Sequence, residues 1–538
     1  MIKKYYSFFI VLLISKSLSS SFSSGGEITN NQKAMDVKHY NIDLKVDPFK
    51  KTIAGSVIIT FSIFRNIENI EIDLINKYTV SGTLINGMSL AFEHKNNKLF
   101  IYNPGIELFK DHFLEIKYVG RPPISSNPPW KGGFVWEKNT DENHWIGLAC
   151  QSSGANIWYP CKEHPSDKAN SAEIKITVPK PLKVVSNGIL QSVESSSGQW
   201  QTWYWKTDYP ISPYNINFTI GYFKIIEKIG YVLDKPLKMY FYALPKDYKK
   251  GKDLLNTAEE YLNFYARNFG QFPWIKEKFG IVQTPYWGME HQTSIAYGNN
   301  FKKTDLGYDF LLFHELGHEW WGNYLSVTDW SDFWIHEGFN TYAEALYIEE
   351  KFSLETSINF INKKFKKSIK NKKPILPNKG VKINFFEDND VYYKGAHILH
   401  TLRYLIGNDI LRESLKEFLY MPKEWSNNQT NTDEFISLIE ENSGQNLKWF
   451  FNRYLRENDL PQLNVKEIII KNKKFFDLWW EDEGFKMPIK VVYNAFDETR
   501  EKKIELNNSP KRIVIPINST LIIDPESWIL FKTNNISS

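Results

Sequence analysis

The hydrophobic period of this chain changes twice, and those changes restrict the architectures open to it. From about His39 to Lys224, short runs alternate apolar and polar residues, as in "VKHYNIDLKVD", "SVIITFSIF", "AEIKITVPK" and "WQTWYWKTD", with Gly, Pro, Asn and Ser clusters between them. A period of two puts alternate side chains on opposite faces, so this stretch predicts strands. From Lys250 onward apolar residues recur at helical spacing, beginning with "KDLLNTAEEYLNFYARNFG", and helical candidates continue to about Leu455. Alternation returns after "ENDLPQLNV", in "VKEIIIK", "MPIKVVYNAF", "KRIVIPI" and "STLIIDPESWILFK". The prediction is a multidomain α+β protein: an all-β domain over 30–224, a mostly helical domain over 225–457 and a small β-sandwich over 458–534. A chain of 538 residues exceeds what one core supports. It shows no repeat and no low-complexity linker, so the domains should pack directly on one another.

Residues 1–24 read differently. Lys3 and Lys4 precede an apolar run from Tyr5 to Ile14, and small residues follow, which is the shape of a secretory signal peptide. The run is too short to span a bilayer, and no later stretch approaches ~20 apolar residues, so the expectation is export to the periplasm or the outside without a stable membrane anchor. Basic and acidic residues nearly balance, 66 against 62, and no basic stripe interleaved with aromatics occurs, which argues against nucleic acid as a partner. The basic run "NKKFKKSIKNKK", Asn362 to Lys373, reads as the solvated face of a helix. The two cysteines, Cys150 and Cys161, fit a disulfide or a pair of buried thiols equally well.

Within the helical part, "FLLFHELGHEWWGNY" sets His314, Glu315, His318 and Glu319 among Phe, Leu and Trp. Burying such groups unpaired costs several kcal/mol, roughly. Histidines four apart share one face of a helix, where both imidazoles can reach one metal ion. Asp305 or Asp309 can cap that helix, and Gly322 with Asn323 offers a stop. A second amphipathic segment, "DFWIHEGFNTYAEALYIEE", carries Glu337, with eighteen residues between it and His318. Two His and one Glu with an open position are the ligand set of a catalytic zinc, whereas structural zinc is closed by four protein ligands.

These motifs resemble peptidase family M1, the aminopeptidase N-like gluzincins, whose signature is H-E-x-x-H followed after 18 residues by Glu. The resemblance extends over most of the chain. "GMEHQT" is similar to the family's G-x-M-E-N segment, which implies that Gly288, Met289, Glu290 and His291 border the substrate and that Glu290 holds its free α-amine. "YYKG" is similar to Y-x-K-G and assigns an oxyanion-stabilising phenol to Tyr392, with Tyr393 its neighbour. "QSSGANIWYPCKEHPSDKA" resembles a β-domain segment ending in Pro-Cys and x-x-P-x-x-K-A, which makes Gln151 the second amine-binding position. Glu344 resembles a carboxylate that orients a ligand imidazole. "DPESWIL" resembles the close of the family's third, β domain. His291 and His336 stand where Asn is usual. The chain also stops after the small β domain, so a more open site is expected than in members with a large helical C-terminal domain.

The resemblance implies a thermolysin-like catalytic domain with one Zn2+ per chain, held by His314, His318 and Glu337. Glu315 would be the general base, and peptides with a free N-terminus the substrates. Three alternatives share parts of the pattern. A thermolysin-like endopeptidase needs neither Glu290 nor Gln151. An epoxide hydrolase of this family carries a helical C-terminal domain. A non-catalytic peptide-binding protein would be expected to lack Glu315 or a ligand. His397 and His400, four apart, have no acidic third partner in sequence and read as core or surface histidines. Trp320 and Trp321 read as packing behind the metal helix. His291 and His336 are expected near the cleft.

Overall fold

A computed structural model describes residues 22–536, apart from 196–197, 425 and 496–497. The charged start and apolar run read as a leader lie in residues 1–21, outside the described residues.

The first region is all β, and its largest sheet has eight strands. The hairpin Met35–Asp47 and Thr52–Ile63 lies inside it, with Met35–Asp47 parallel to Ser171–Pro179 and Thr52–Ile63 antiparallel to His112–Gly120. Register follows the apolar period: Tyr40, Ile42, Leu44 and Val46 are buried, as are Ile174, Ile176 and Val178 on the neighbouring strand. A four-stranded sheet that includes Gly133–Lys138 and His144–Ala149 supports two loops, 125–132 and 150–163, that reach the second region.

The second region opens with a five-stranded mixed sheet, ordered Lys224–Val232, Lys235–Ala243, Phe279–Gln283, Ile295–Tyr297, Gly288–Met289. Four of its helices position the site: α1 (Tyr248–Phe269), α2 (Phe310–Gly317), α3 (Trp334–Lys351) and α4 (Asp390–Ile406). The α2 helix starts at Asp309, whose carboxylate accepts from Leu312 N at 3.1 Å. It ends at Gly317, five residues before the expected stop. Wide turns follow, in which the amides of Asn323, Tyr324 and Leu325 donate to the carbonyls five residues back, at 2.9, 3.2 and 3.0 Å. The early end lets two adjacent indoles be buried against different partners, Trp320 on Tyr265 and Trp321 on Phe339. The α3 and α4 helices touch at Gly338 and Gly395, where a Cβ on either would stand 3.0 Å from the other's Cα.

The terminal region is two small antiparallel-rich sheets, one of four strands and one of three, with Leu478, Trp480, Ile489, Val491 and Ile515 between them. It is anchored through "DPESWIL". Trp528 stacks on His400 at 4.3 Å, its carbonyl accepts from Thr401 Oγ1 at 2.9 Å, and the Leu530 carbonyl accepts from Tyr454 Oη at 2.9 Å. His397 and His400 are thus buried packing residues at this junction.

The first two regions are joined by buried polar contacts rather than a linker. Lys168, from the P-x-x-K-A segment, donates to the carbonyls of Asn323 and Tyr324 at 2.5 and 2.9 Å. Asn187 donates to Gln292 O, and the Gly188 amide to Thr293 Oγ1. Cys150 and Cys161 are buried free thiols. The run Asn362 to Lys373 begins in a widened helical turn, Ile361–Lys366, that keeps Phe365 inside. Among the described residues, no helix is long and apolar enough to cross a membrane.

Candidate active site

Five separate stretches of chain meet at one cleft of about 620 Å³. His314 and Glu315 come from α2, His318 caps its end, and Glu337 comes from the first turn of α3. Tyr392 comes from the first turn of α4, Met289 and Glu290 from the edge of the five-stranded sheet, and Gln151 from the loop of the first region. All of these residues line the cleft.

Among the described residues, one group of three potential ligand side chains converges: the ligand atoms of His314, His318 and Glu337 lie within 4.8 Å of one another. The two Nε2 atoms face each other at 3.2 Å, and Glu337 Oε2 is 3.5 and 3.4 Å from them. His318 Nδ1 donates to the Trp321 carbonyl at 2.8 Å, which fixes the tautomer and leaves Nε2 as a bare lone pair. Glu337 Oε2 has no hydrogen-bond partner among the described residues although it is buried. Three donors aimed at one point, with an orphaned carboxylate oxygen among them, fit a divalent cation of the zinc type. The charges agree with that fit. Burial disfavours charge on His318, but without a cation the Glu337 carboxylate outweighs it and raises the ring to about 10, so positive charge is favoured at the point where Nε2 would meet a metal in place of a proton. Burial lowers His314.

Glu315 lies beside this group and faces the cleft. Burial, and then the neighbouring Glu290 carboxylate, push its carboxyl well above the usual range. A Cβ on Gly288 would stand 2.6 Å from Glu315 Oε1, so this glycine makes room for the carboxylate. Tyr392 is held protonated by burial and by the Glu337, Glu290 and Glu315 carboxylates, which makes it an O–H donor; its ring is 6.0 Å from that of His314. Tyr393 stacks on Phe365 instead.

The structure brings Gln151 and Glu290 together: Gln151 Nε2 donates to Glu290 Oε1 at 2.5 Å. Burial raises the Glu290 carboxyl to about 7, opposed by His318. Two exposed indoles, Trp130 and Trp287, stack at 5.9 Å, and Trp287 continues onto Phe310 and then His314. This aromatic wall flanks the mouth.

Three expectations need correction. His291 is buried and does not line the cleft, because successive residues of an extended segment face opposite sides and Glu290 takes the cleft side. Burial lowers it to about 3, so it is neutral. His336 is also buried and outside the cleft lining. One helical position before Glu337 it points elsewhere, and its Nε2 accepts from Val327 N at 3.1 Å. Glu344 is hydrogen-bonded to Tyr308 Oη and to Lys364 Nζ, the latter at 3.0 Å, and to neither imidazole. Lys364 also lies 3.8 Å over the Phe310 ring, so this ion pair backs the aromatic wall.

Two supports escaped the sequence. Glu319 accepts from Thr293 N, Trp274 Nε1 and Asn323 Nδ2 at 2.8, 2.7 and 3.1 Å, tying α2 to the segment that carries Glu290. Asn340 on α3 donates to the His314 carbonyl at 2.7 Å. Glu319 was visible as a charge in an apolar run, but only long-range contacts show its partners.

Comparison with known proteins followed the same outline. The model of the peptidase M1 N-terminal domain matches residues 36–215, and that of the peptidase family M1 domain matches residues 253–454. A probable aminopeptidase 2 of Sulfurisphaera tokodaii is 23% identical over 498 residues, covering 85% of this chain and 61% of its own length. A glutamyl aminopeptidase of Bitis rhinoceros is 25% identical over 331 residues, covering 57% of this chain and 33% of its own. This chain therefore spans a third to three fifths of the length of these two relatives. An M1 zinc metallopeptidase from Deinococcus radiodurans shares the fold, with a TM-score of 0.67 at 20% identity over 81% of this chain and 96% of that one. With both consecutive family models matched across well over half of its residues, the chain belongs to peptidase family M1.

Proposed function

We propose that this protein is a zinc-dependent aminopeptidase that removes the first residue of peptides with a free α-amine. The observation that carries this reading is the Gln151–Glu290 pair beside the three-donor group. A buried carboxylate in the cleft lining, hydrogen-bonded to a neutral amide, suits an ammonium group, and an internal peptide segment has none to offer. Anchoring that ammonium would set the first peptide bond beside His314, His318 and Glu337.

When bound, zinc supplies a Lewis acid that brings the pKa of water from ~15.7 to about 7. Glu315, facing the cleft beside the three donors, would take the proton from the attacking water and hand it to the departing amine. Tyr392 donates its hydroxyl proton in a hydrogen bond to the oxygen on which negative charge develops. Gln151 yields its bond to Glu290 in part and offers its carbonyl to the ammonium.

The test compares free-amine aminoacyl amides and short peptides with their N-acetylated forms. Release of single N-terminal residues from the free forms only is the expected result. Comparable cleavage of blocked peptides would remove the amine anchor and turn the reading toward an endopeptidase. The sequence of residues 1–14 supports export to the periplasm or the outside, checked by fractionation of cells expressing the full chain.

A further inference from the structure

The first described residues, "FSSGG" (Phe22 to Gly26), read in sequence as the small-residue tail of a leader, yet Ser24 is fully buried. Its hydroxyl donates to Glu163 Oε1 at 2.7 Å and accepts from Trp330 Nε1 at 2.9 Å. Its amide donates to the Ser152 carbonyl at 3.2 Å, and its own carbonyl accepts from Ile383 N at 3.1 Å. Gly26 N donates to Val381 O at 3.1 Å. Gly25, at φ 77°, passes so close to Trp330 that a Cβ would meet its ring at 2.2 Å.

Each partner leads to a different part of the site. Glu163 organises the loop that carries Gln151: it accepts from Ala155 N at 2.5 Å, and a Cβ on Gly154 would meet it at 2.8 Å. Ser152 adjoins Gln151 and lines the cleft. Trp330 packs on Phe333 and His336, the residues that lead α3 to Glu337. Ile383 lines the cleft wall ahead of Tyr392.

We propose that Ser24 is a positioning residue for the substrate amine, a buried latch that fixes the Gln151 turn against the start of the metal-ligand helix. Any removal of the leader has to leave Ser24 on the chain. The kinetic consequence rests on the aminopeptidase reading, whereas the mechanical one does not.

Both are tested on the full chain with Ser24→Ala, which removes one hydroxyl, and Gly25→Val, which drives the strap off Trp330. Hydrogen exchange over 150–163 and 329–337 should quicken roughly tenfold in both segments together, the size expected when a buried hydrogen bond is lost. In Ser24→Ala, KM for free-amine aminoacyl amides should rise about tenfold while kcat stays within about twofold and zinc content is kept. A fall in kcat with KM unchanged would reduce the strap to ordinary packing and overturn the proposal. Exchange unaltered in both segments would overturn it as well. If the unmodified chain cleaves no free-amine substrate, the aminopeptidase reading falls, and the exchange result still decides the latch. N-terminal sequencing of the mature protein should begin at or before Ser24, and a start at Gly25 or later would also overturn it.

Discussion

At the level of single residues, the site separates three side chains that converge on one point from a carboxyl, Glu315, that faces the cleft beside them. Burial, and then the neighbouring Glu290 carboxylate, keep the proton affinity of Glu315 high in the absence of a metal. Glu315→Gln should cut turnover at least about 10²-fold. Metal content, measured by atomic absorption, should stay at one ion per chain; retained turnover would remove it as base. A second test concerns Glu163, whose carboxyl burial raises from its ordinary 4.5 to about 7. The folded chain then keeps a proton that the unfolded chain loses between pH 4.5 and about 7. This group's contribution therefore favours folding most below that window and weakens as pH rises through it. Thermal midpoints should fall between about pH 5 and 8 less steeply in Glu163→Gln than in the parent, and equal slopes would count against this account. The ligands were legible because a helix turns His314 and His318 to one face. His291 and His336 stand one position from Glu290 and Glu337, and that single step turns each away from the cleft, His291 across an extended segment and His336 around a helix. Glu319 and Asn340 act through partners distant in sequence, which no local pattern encodes.

At the level of elements, the distance between two helices sets where the phenol stands. The α3 and α4 helices meet through Gly338 and Gly395, and this glycine belongs to the Y-x-K-G run that carries Tyr392. Side-chain volume at that crossing would part Glu337 from Tyr392. Gly338→Ala should cost roughly 1–3 kcal/mol of stability by overpacking. Its residual folded enzyme should resemble Tyr392→Phe, with kcat down about 10²- to 10³-fold and KM little changed. Calorimetry and steady-state kinetics on the two variants check this, and wild-type kcat in Gly338→Ala would show that the crossing is not what places the phenol. The types of element were legible from the two period changes, since strands and helices impose different spacings. The end of α2 was not, since burying Trp320 and Trp321 against separate partners outweighs the glycine signal at Gly322.

At the level of the whole molecule, the cleft is a property of two regions and the bonds across them, so metal and fold should be linked. A ligand present at about 1,000 times its Kd and bound only by the native state adds roughly 4 kcal/mol. Chelation should therefore lower the melting temperature and zinc should restore it, while magnesium, which prefers an oxygen octahedron, should not; scanning calorimetry reads both. The order of the regions was plain in the sequence, but their fastening was not: Lys168, Asn187 and Trp528 are ordinary polar or aromatic residues until their distant partners are seen. The Ser24 to Trp330 bond spans 306 positions, and the bond from Ile383 N to the Ser24 carbonyl, from 24 to 383, reaches further still. Joining positions that far apart closes a long loop, whose entropy cost the native contacts on both sides must offset. Residues 24 to 26 thus fasten two walls of the cleft at once, so their loss would loosen the loop of Gln151 and the approach to Glu337 together while leaving the strands and helices that carry them intact.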